Sequence, residues 1–328
     1  MEREQNWSPV QGGAWLLRRA LLGVATLLMI SVVVFLGTQA LPGDPAIAIL
    51  GRDAAPDRVE LLRQQLGLNV PVIQQYFNWL SGILHGDFGR SLASRRAVSG
   101  LLATRGLNSL LLVGLSAAIC IPVSLALGGW SAMRRDKPAD LSVWVLTTVL
   151  TALPEFIVGM VLVILFATTV TRLLPAVSMI PEGESPFYYA SAFILPALTL
   201  VLATLPYLTR LFRGSMIEVL QADYVEMARL KGVMERRVVL RHAVPNALIP
   251  TVQGSALVLT YMAGGIVVVE YLFRFPGLGS ALTDAIANRD LPVIQAIAVI
   301  QAALYVVVNL LADYLTIRLT PRLRTSHG

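Results

Sequence analysis

The sequence predicts an all-α membrane protein with six transmembrane helices and both termini in the cytoplasm. Three observations carry this. Of 328 residues, 55% are hydrophobic and 14% charged, whereas a soluble domain carries about 25% charge. Mean hydropathy is +0.68. The apolar residues also fall into six blocks long enough to cross a hydrocarbon core about 30 Å thick, which takes roughly 20 helical residues. The net charge of +6 gathers at block ends with no aromatic–basic stripe. It therefore reads as topogenic charge and argues against a nucleic-acid partner.

Residues 1–15 form a polar cytoplasmic tail, and the first span, 16–41, opens at Arg18-Arg19. A cleaved signal peptide ending at Thr38-Gln39-Ala40 is the competing reading. The apolar run exceeds the roughly 7–15 residues such a peptide uses. Residues 42–105 form an extracytoplasmic segment with short amphipathic helices. Val59, Leu62 and Leu66 share one face, and Gly67 ends that helix. Pro71 starts a second helix, with Val72, Tyr76, Trp79, Leu80 and Ile83 on one face. Tyr76, Phe77 and Trp79 suit an aromatic belt at the membrane surface; interfacial packing and ligand contact both remain open.

The remaining spans are 107–132, 141–171, 190–211, 249–269 and 292–317, followed by a cytoplasmic tail, 318–328. Cys120 lies inside the second and suits core packing. Pro122, Pro154, Pro196 and Pro206 interrupt apolar blocks. Each frees a carbonyl that lipid cannot satisfy, so these helices bend against neighbours or a wet cavity. Arginine and lysine set the orientation. An inside N-terminus puts Arg3, Arg18, Arg19, Arg134, Arg135, Lys137, Arg318, Arg322, Arg324 and the basic loop 213–248 in the cytoplasm. Only Arg172, Arg274 and Arg289 then fall in the two short outer loops.

The most polar stretch, 223–250, reads DYVEMARLKGVMERRVVLRHAVPNALIP. Its first half predicts a short helix with Val225, Ala228 and Gly232 on one small apolar face, stopped by Gly232 in a left-handed conformation. A second basic helix, 235–243, should end at Pro245, which lacks the amide that continues a helix. Such a helix–glycine–helix between spans suits a knob fitting a socket on a soluble partner. The plain alternative is a basic loop lying on anionic headgroups.

The loop resembles the EAA loop of ABC-importer membrane subunits at Tyr224, Ala228, Arg229, Lys231 and Gly232, then at His242, Asn246 and Pro250. Other stretches resemble the dipeptide/oligopeptide permease group: Leu41-Pro42-Gly43-Asp44-Pro45, the run 66–80, GDFGRS at 86–91, Glu270 and Phe273, Pro276-Gly277-Leu278-Gly279, and Arg289-Asp290-Leu291-Pro292. They stand in register from about Arg18 to Arg322. Two departures stand out. Val225-Glu226-Met227-Ala228 replaces the Glu-Ala-Ala of the name-giving motif, and Val244-Pro245 replaces a usual non-proline pair.

The resemblance implies a type I importer permease translocating di- or oligopeptides, or a similar solute, delivered by an extracytoplasmic substrate-binding protein. Permeases of this look also carry nickel chelates, glutathione, opines and sugars. It implies a bacterial inner-membrane location, a second homologous permease subunit and two ABC ATPase subunits that hold the ATP and Mg. This chain would bind no cofactor and catalyse no reaction. It would couple to the ATPases through Tyr224, Glu226, Ala228, Arg229, Lys231, Gly232, His242 and Asn246.

The residues agree with that division of labour. No GxxxxGK[ST] phosphate loop is present, nor HExxH or GxSxG. His85, His242 and His327 are too scattered for a metal site. Glu155, inside the third span, is either a pore-facing carboxylate that contacts the amino terminus or a basic group of a passing solute, or one paired with an arginine or backbone amide of a neighbouring helix or lying beside the Pro154 kink. Glu270 and Asp313 lie near span ends and should reach water or cap structure. Arg289 and Asp290 either contact the binding protein or pair with each other. A proton-coupled secondary transporter and a non-transporting scaffold are the rival functions.

Overall fold

The computed structural model describes residues 9–40, 45–50, 54–65, 67, 69–168, 170–181 and 183–319. Residues 1–8, Pro42-Gly43-Asp44, Leu66 and residues 320–328 lie outside the described residues, together with the expectations placed on them. The helices are α1 (Pro9–Gln39), α2 (Pro45–Leu50), α3 (Pro56–Gln65), α4 (Val72–Leu84), α5 (Val98–Met133), α6 (Pro138–Ala152), α7 (Glu155–Val163), α8 (Ala190–Leu220), α9 (Asp223–Leu230), α10 (Glu235–Val238), α11 (Val244–Phe273), α12 (Leu278–Ala287) and α13 (Leu291–Leu319). Among the described residues, the one β feature is an isolated bridge between Arg90 and Ala97.

Five of these helical stretches are long and apolar enough to cross a membrane, and α6 with α7 makes a sixth if the pair counts as one span. The interruption read at Pro154 within 141–171 is a sharp one, since the halves of that pair are bent by 103°. The cause is local. A residue before proline is pushed out of the helical region, and Leu153 is extended, with ψ 126. Pro154 then heads α7. Pro122, Pro196 and Pro206 instead lie within the continuous helices α5 and α8.

The chain divides into two compact units. The first comprises residues 1–20, 111–275 and 307–328. In it α8 is the central helix, packed on α6, α7 and α11. Of its apolar window 72% is buried, so α8 is core. Leu112, Leu195, Leu200, Phe273 and Phe275 form the largest cluster. Phe193 meets Phe275 edge-on at 5.0 Å between centroids. Gly128 lets α5 and α8 touch, since a Cβ there would stand 2.6 Å from the Thr209 carbonyl oxygen. At the rim, Arg19 pairs with Asp313 at 3.0 Å. Of the two readings for Glu270, reach to water is excluded, because it is fully buried in the last turn of α11.

The second unit comprises residues 21–110 and 276–306, around Val98, Leu102, Ala285, Val293 and Ile297. Here α4 lies against α1. Tyr76 and Trp79 pack on Phe35 at 5.4 and 5.5 Å between centroids, and the Tyr76 hydroxyl is 2.8 Å from Ser31 Oγ. Two of the three expected belt residues are thus used in packing, while Phe77 stays exposed.

Asp290 is also a correction. It is 2% exposed and offers no surface to a partner. Its carboxylate accepts from Ser91 Oγ, from Leu92 N at 2.9 Å and from Ala93 N at 3.2 Å. The turn after α12 puts it there. Arg289 adopts a left-handed φ of 54, while Asp290 N donates to Ala285 O and Arg289 N to Ile286 O, the paired bonds of a Schellman ending. Asp290→Ala should orphan two backbone N–H groups and a hydroxyl, destabilising this unit by roughly 2–3 kcal/mol. Faster proteolytic cutting within residues 91–97 would show it, and an unchanged rate would refute the assignment.

Candidate functional site

The loop between α8 and α11 is built as a braced knob. Helix α9 ends in a Schellman turn: Gly232 N donates to Arg229 O at 2.9 Å, and Val233 N to Ala228 O at 3.2 Å. The turn requires a left-handed residue, and Gly232 has φ 73. Arg229 bridges the turn. Its Nη2 and Nε donate to the two carboxylate oxygens of Glu235 at 2.7 and 3.0 Å, and its Nη1 donates to Leu220 O at 3.3 Å. The hydrogen bonds from Arg229 hold the Glu235 carboxyl below its ordinary pKa.

Below the brace, Val225 and Val238 are buried. Met216, Phe212, Ala132, Val239, Ala243 and Ala247 form the cluster that roots the loop. Above it, Tyr224, Met227, Leu230 and Met234 are exposed, Leu230 to 76% and Met234 to 71%. Apolar side chains held outward on a rigid turn cost free energy in water unless a partner covers them.

Pro245 does not end the second loop helix, contrary to expectation. Helix α10 runs through a π turn, Val239–Ala243, directly into α11, where Pro245 sits in the first turn. A wider π turn just before a proline removes the clash its ring would make with the carbonyl four residues back. His242 lies in that π turn, and its carbonyl accepts from Asn246 Nδ2 at 2.7 Å.

A second feature lies in the same unit. A cavity of about 480 Å³ is lined by segments of α6, α7, α8 and α11, among them Thr151, Leu153, Glu155, Tyr207, Leu257 and Tyr261. Glu155 is the first residue of α7, directly after the 103° bend. Among the described residues no cluster of His, Cys, Asp and Glu could hold a metal ion.

The family model described as binding-protein-dependent transport system inner membrane component matches residues 124–325. The model of that system's membrane component N-terminal region matches residues 14–99. The chain belongs to this family. It is an inner-membrane, multi-pass permease component of an ABC importer, a system that works with ATPase subunits and a binding protein. It is 38% identical over 311 residues to a Brucella abortus protein named as a candidate peptide transport system permease, covering 95% of this chain and 99% of that one. It is 37% identical over 310 residues to the glutathione transport system permease protein of Salmonella typhimurium, covering 94% and 98%.

The structure gathers most of the site residues named from the permease sequence onto one loop. Tyr224, Glu226, Lys231 and Gly232 are exposed, Ala228 and His242 half-buried, and Asn246 exposed beyond the π turn. Glu155 and Asp290 stand elsewhere, the latter in the other unit. Sequence reasoning missed the exposed Met227, Leu230 and Met234, although apolar residues recurring inside a charged island were a usable signal. It also counted Arg213 only as topogenic charge. Arg213 is in fact locked to Asp140, with N–O distances of 2.7 and 2.6 Å.

Proposed function

We propose that this permease moves peptides or peptide-like solutes inward by alternating access, driven by ATP on two partner ATPases that carry ATP and Mg. It does so beside a second homologous six-span subunit, on delivery from an extracytoplasmic binding protein. The observation that carries the reading is the braced turn at Gly232, with Tyr224, Met227, Leu230 and Met234 presented outward. A rigid knob transmits displacement, where a floppy loop would absorb it. In this reading closure of the ATPase dimer pulls the knobs together, and α9 moves the buried root and hence α8 and α11. The names of the two relatives support the peptide class.

Purifying the tagged chain in mild detergent should bring down a second permease and two ATPases. Leu230→Asp with Met234→Asp should retain the second permease but lose at least tenfold of the ATPase. Full retention of the ATPase by that variant would refute docking through this turn.

A further inference from the structure

The cavity that begins at the α6–α7 bend contains a carboxylate with no partner. Glu155 Oε2 is buried and makes no hydrogen bond among the described residues. The N-cap position of α7 is Pro154, and Glu155 is the first residue of the helix. Arg210, three residues after Tyr207 on α8, reaches the cavity lining but not Glu155: it donates to Thr151 Oγ1 at 2.6 Å and to Pro206 O at 3.3 Å. Across from Glu155 on α11 stands Gly265, where a Cβ would lie 2.7 Å from Oε2. The carboxylate therefore lies directly against the Gly265 backbone, in space that a side chain there would contest. Tyr207 and Tyr261 are exposed on the same cavity, and the remaining lining is mostly aliphatic.

A carboxylate is an acceptor only, and within a membrane span it is costly unless a donor or cation meets it. A tyrosine ring face attracts a cation. The dimensions fit one end of a small solute. We propose that Glu155 is the specificity-determining counter-charge for a primary ammonium group on the solute in transit, with Tyr207 and Tyr261 flanking it. The solute class is then a peptide or peptide-like compound with a free amino terminus. The proposal rests on the transport reading above and adds to it a residue and a chemical selection.

The test uses the complete importer with its ATPases and binding protein in proteoliposomes. Trialanine and N-acetyl-trialanine serve as probes, each at a concentration that saturates the binding protein. The intact importer should take up trialanine at least tenfold faster. Glu155→Gln should reduce trialanine uptake about tenfold, leave acetylated uptake unchanged and so abolish the discrimination, while Glu155→Asp should retain part of it. Undiminished discrimination in Glu155→Gln would overturn the proposal and leave the transport reading standing. Transport of neither probe by the intact importer would overturn the peptide reading instead. A second readout is independent of transport. Carbodiimide labelling of Glu155, followed by mass spectrometry, should slow at least fivefold with trialanine and not with the acetylated form. Equal labelling rates with both probes would overturn the proposal whatever the uptake shows.

Discussion

Replacing Gly232 with proline is expected to leave the chain inserted in the membrane and to abolish solute-stimulated ATP hydrolysis. The backbone geometry dictates the size of the effect. Gly232 sits at φ 73, while a proline ring fixes φ near −65°. The substitution also removes the N–H that donates to Arg229 O at 2.9 Å. The Schellman turn cannot form, so Arg229 and Glu235 lose the separation that allows two parallel hydrogen bonds. Leu230 and Met234 would then scatter rather than project together. Gly232→Ala separates conformation from crowding, since nothing stands within 4 Å of a Cβ built there. The alanine variant should show only the cost of a left-handed side-chain residue, about 1–2 kcal/mol, and keep partial coupling. Measured ATP turnover with and without loaded binding protein would order the three proteins glycine, alanine, proline. Normal stimulation in the proline variant would end the coupling role of this turn.

How far the sequence led differs from element to element. The long apolar blocks announced α1, α5, α8, α11 and α13, because crossing a membrane demands a run of apolar residues that nothing else requires. The loop was legible for a similar reason: charge and a helix-stopping glycine stand out against an oily background. The bend at Pro154 was visible as an interruption, but its angle was not, since a proline inside α8 merely continues the helix while Pro154 ends one. Packing partners decide between those outcomes, and they come from distant segments. Pro245 failed for the complementary reason. A π turn absorbs the missing amide, and no residue type marks a π turn. The burial of Asp290 and Glu270 was not legible, because a contact with the binding protein was open for the first and a reach to water for the second. Their burial depends on contacts nearly two hundred residues away in the case of Ser91 and Asp290. The cavity around Glu155 is walled by Tyr207, Leu257 and Tyr261, roughly fifty to a hundred residues later, so only its carboxylate could be suspected from the chain alone.

The same long-range logic gives the largest stability effect expected here, at Arg213. Three helices of the first unit meet around one acid. Asp140, in the first turn of α6, accepts two hydrogen bonds from Arg213 on α8 at 2.7 and 2.6 Å, and one from Ser131 near the end of α5 at 2.5 Å. It also accepts from Asp136 N at 3.1 Å, which fixes the turn between α5 and α6. The acid side chain is 7% exposed and the arginine 26%. Truncating one member of a buried pair strands the other charge at a cost of roughly 3–5 kcal/mol. Partial solvent access to Arg213 places Arg213→Met near the lower end, about 3 kcal/mol. That corresponds to an apparent Tm in detergent lowered by roughly 6–12 °C. The double variant Arg213→Met with Asp140→Leu should recover at least half of the loss, because no charge is then left buried. If the double variant unfolds as early as the single one, the three helices are held by packing around Phe212 and Met216 and the ion pair is incidental. If it recovers, Arg213 belongs to the mechanical path as well as to the topogenic charge. It lies on α8 between the loop root and the cavity wall at Tyr207, so the double variant should fold well yet transmit poorly. A restored Tm with solute-stimulated ATP turnover still reduced severalfold is the combination that this placement predicts.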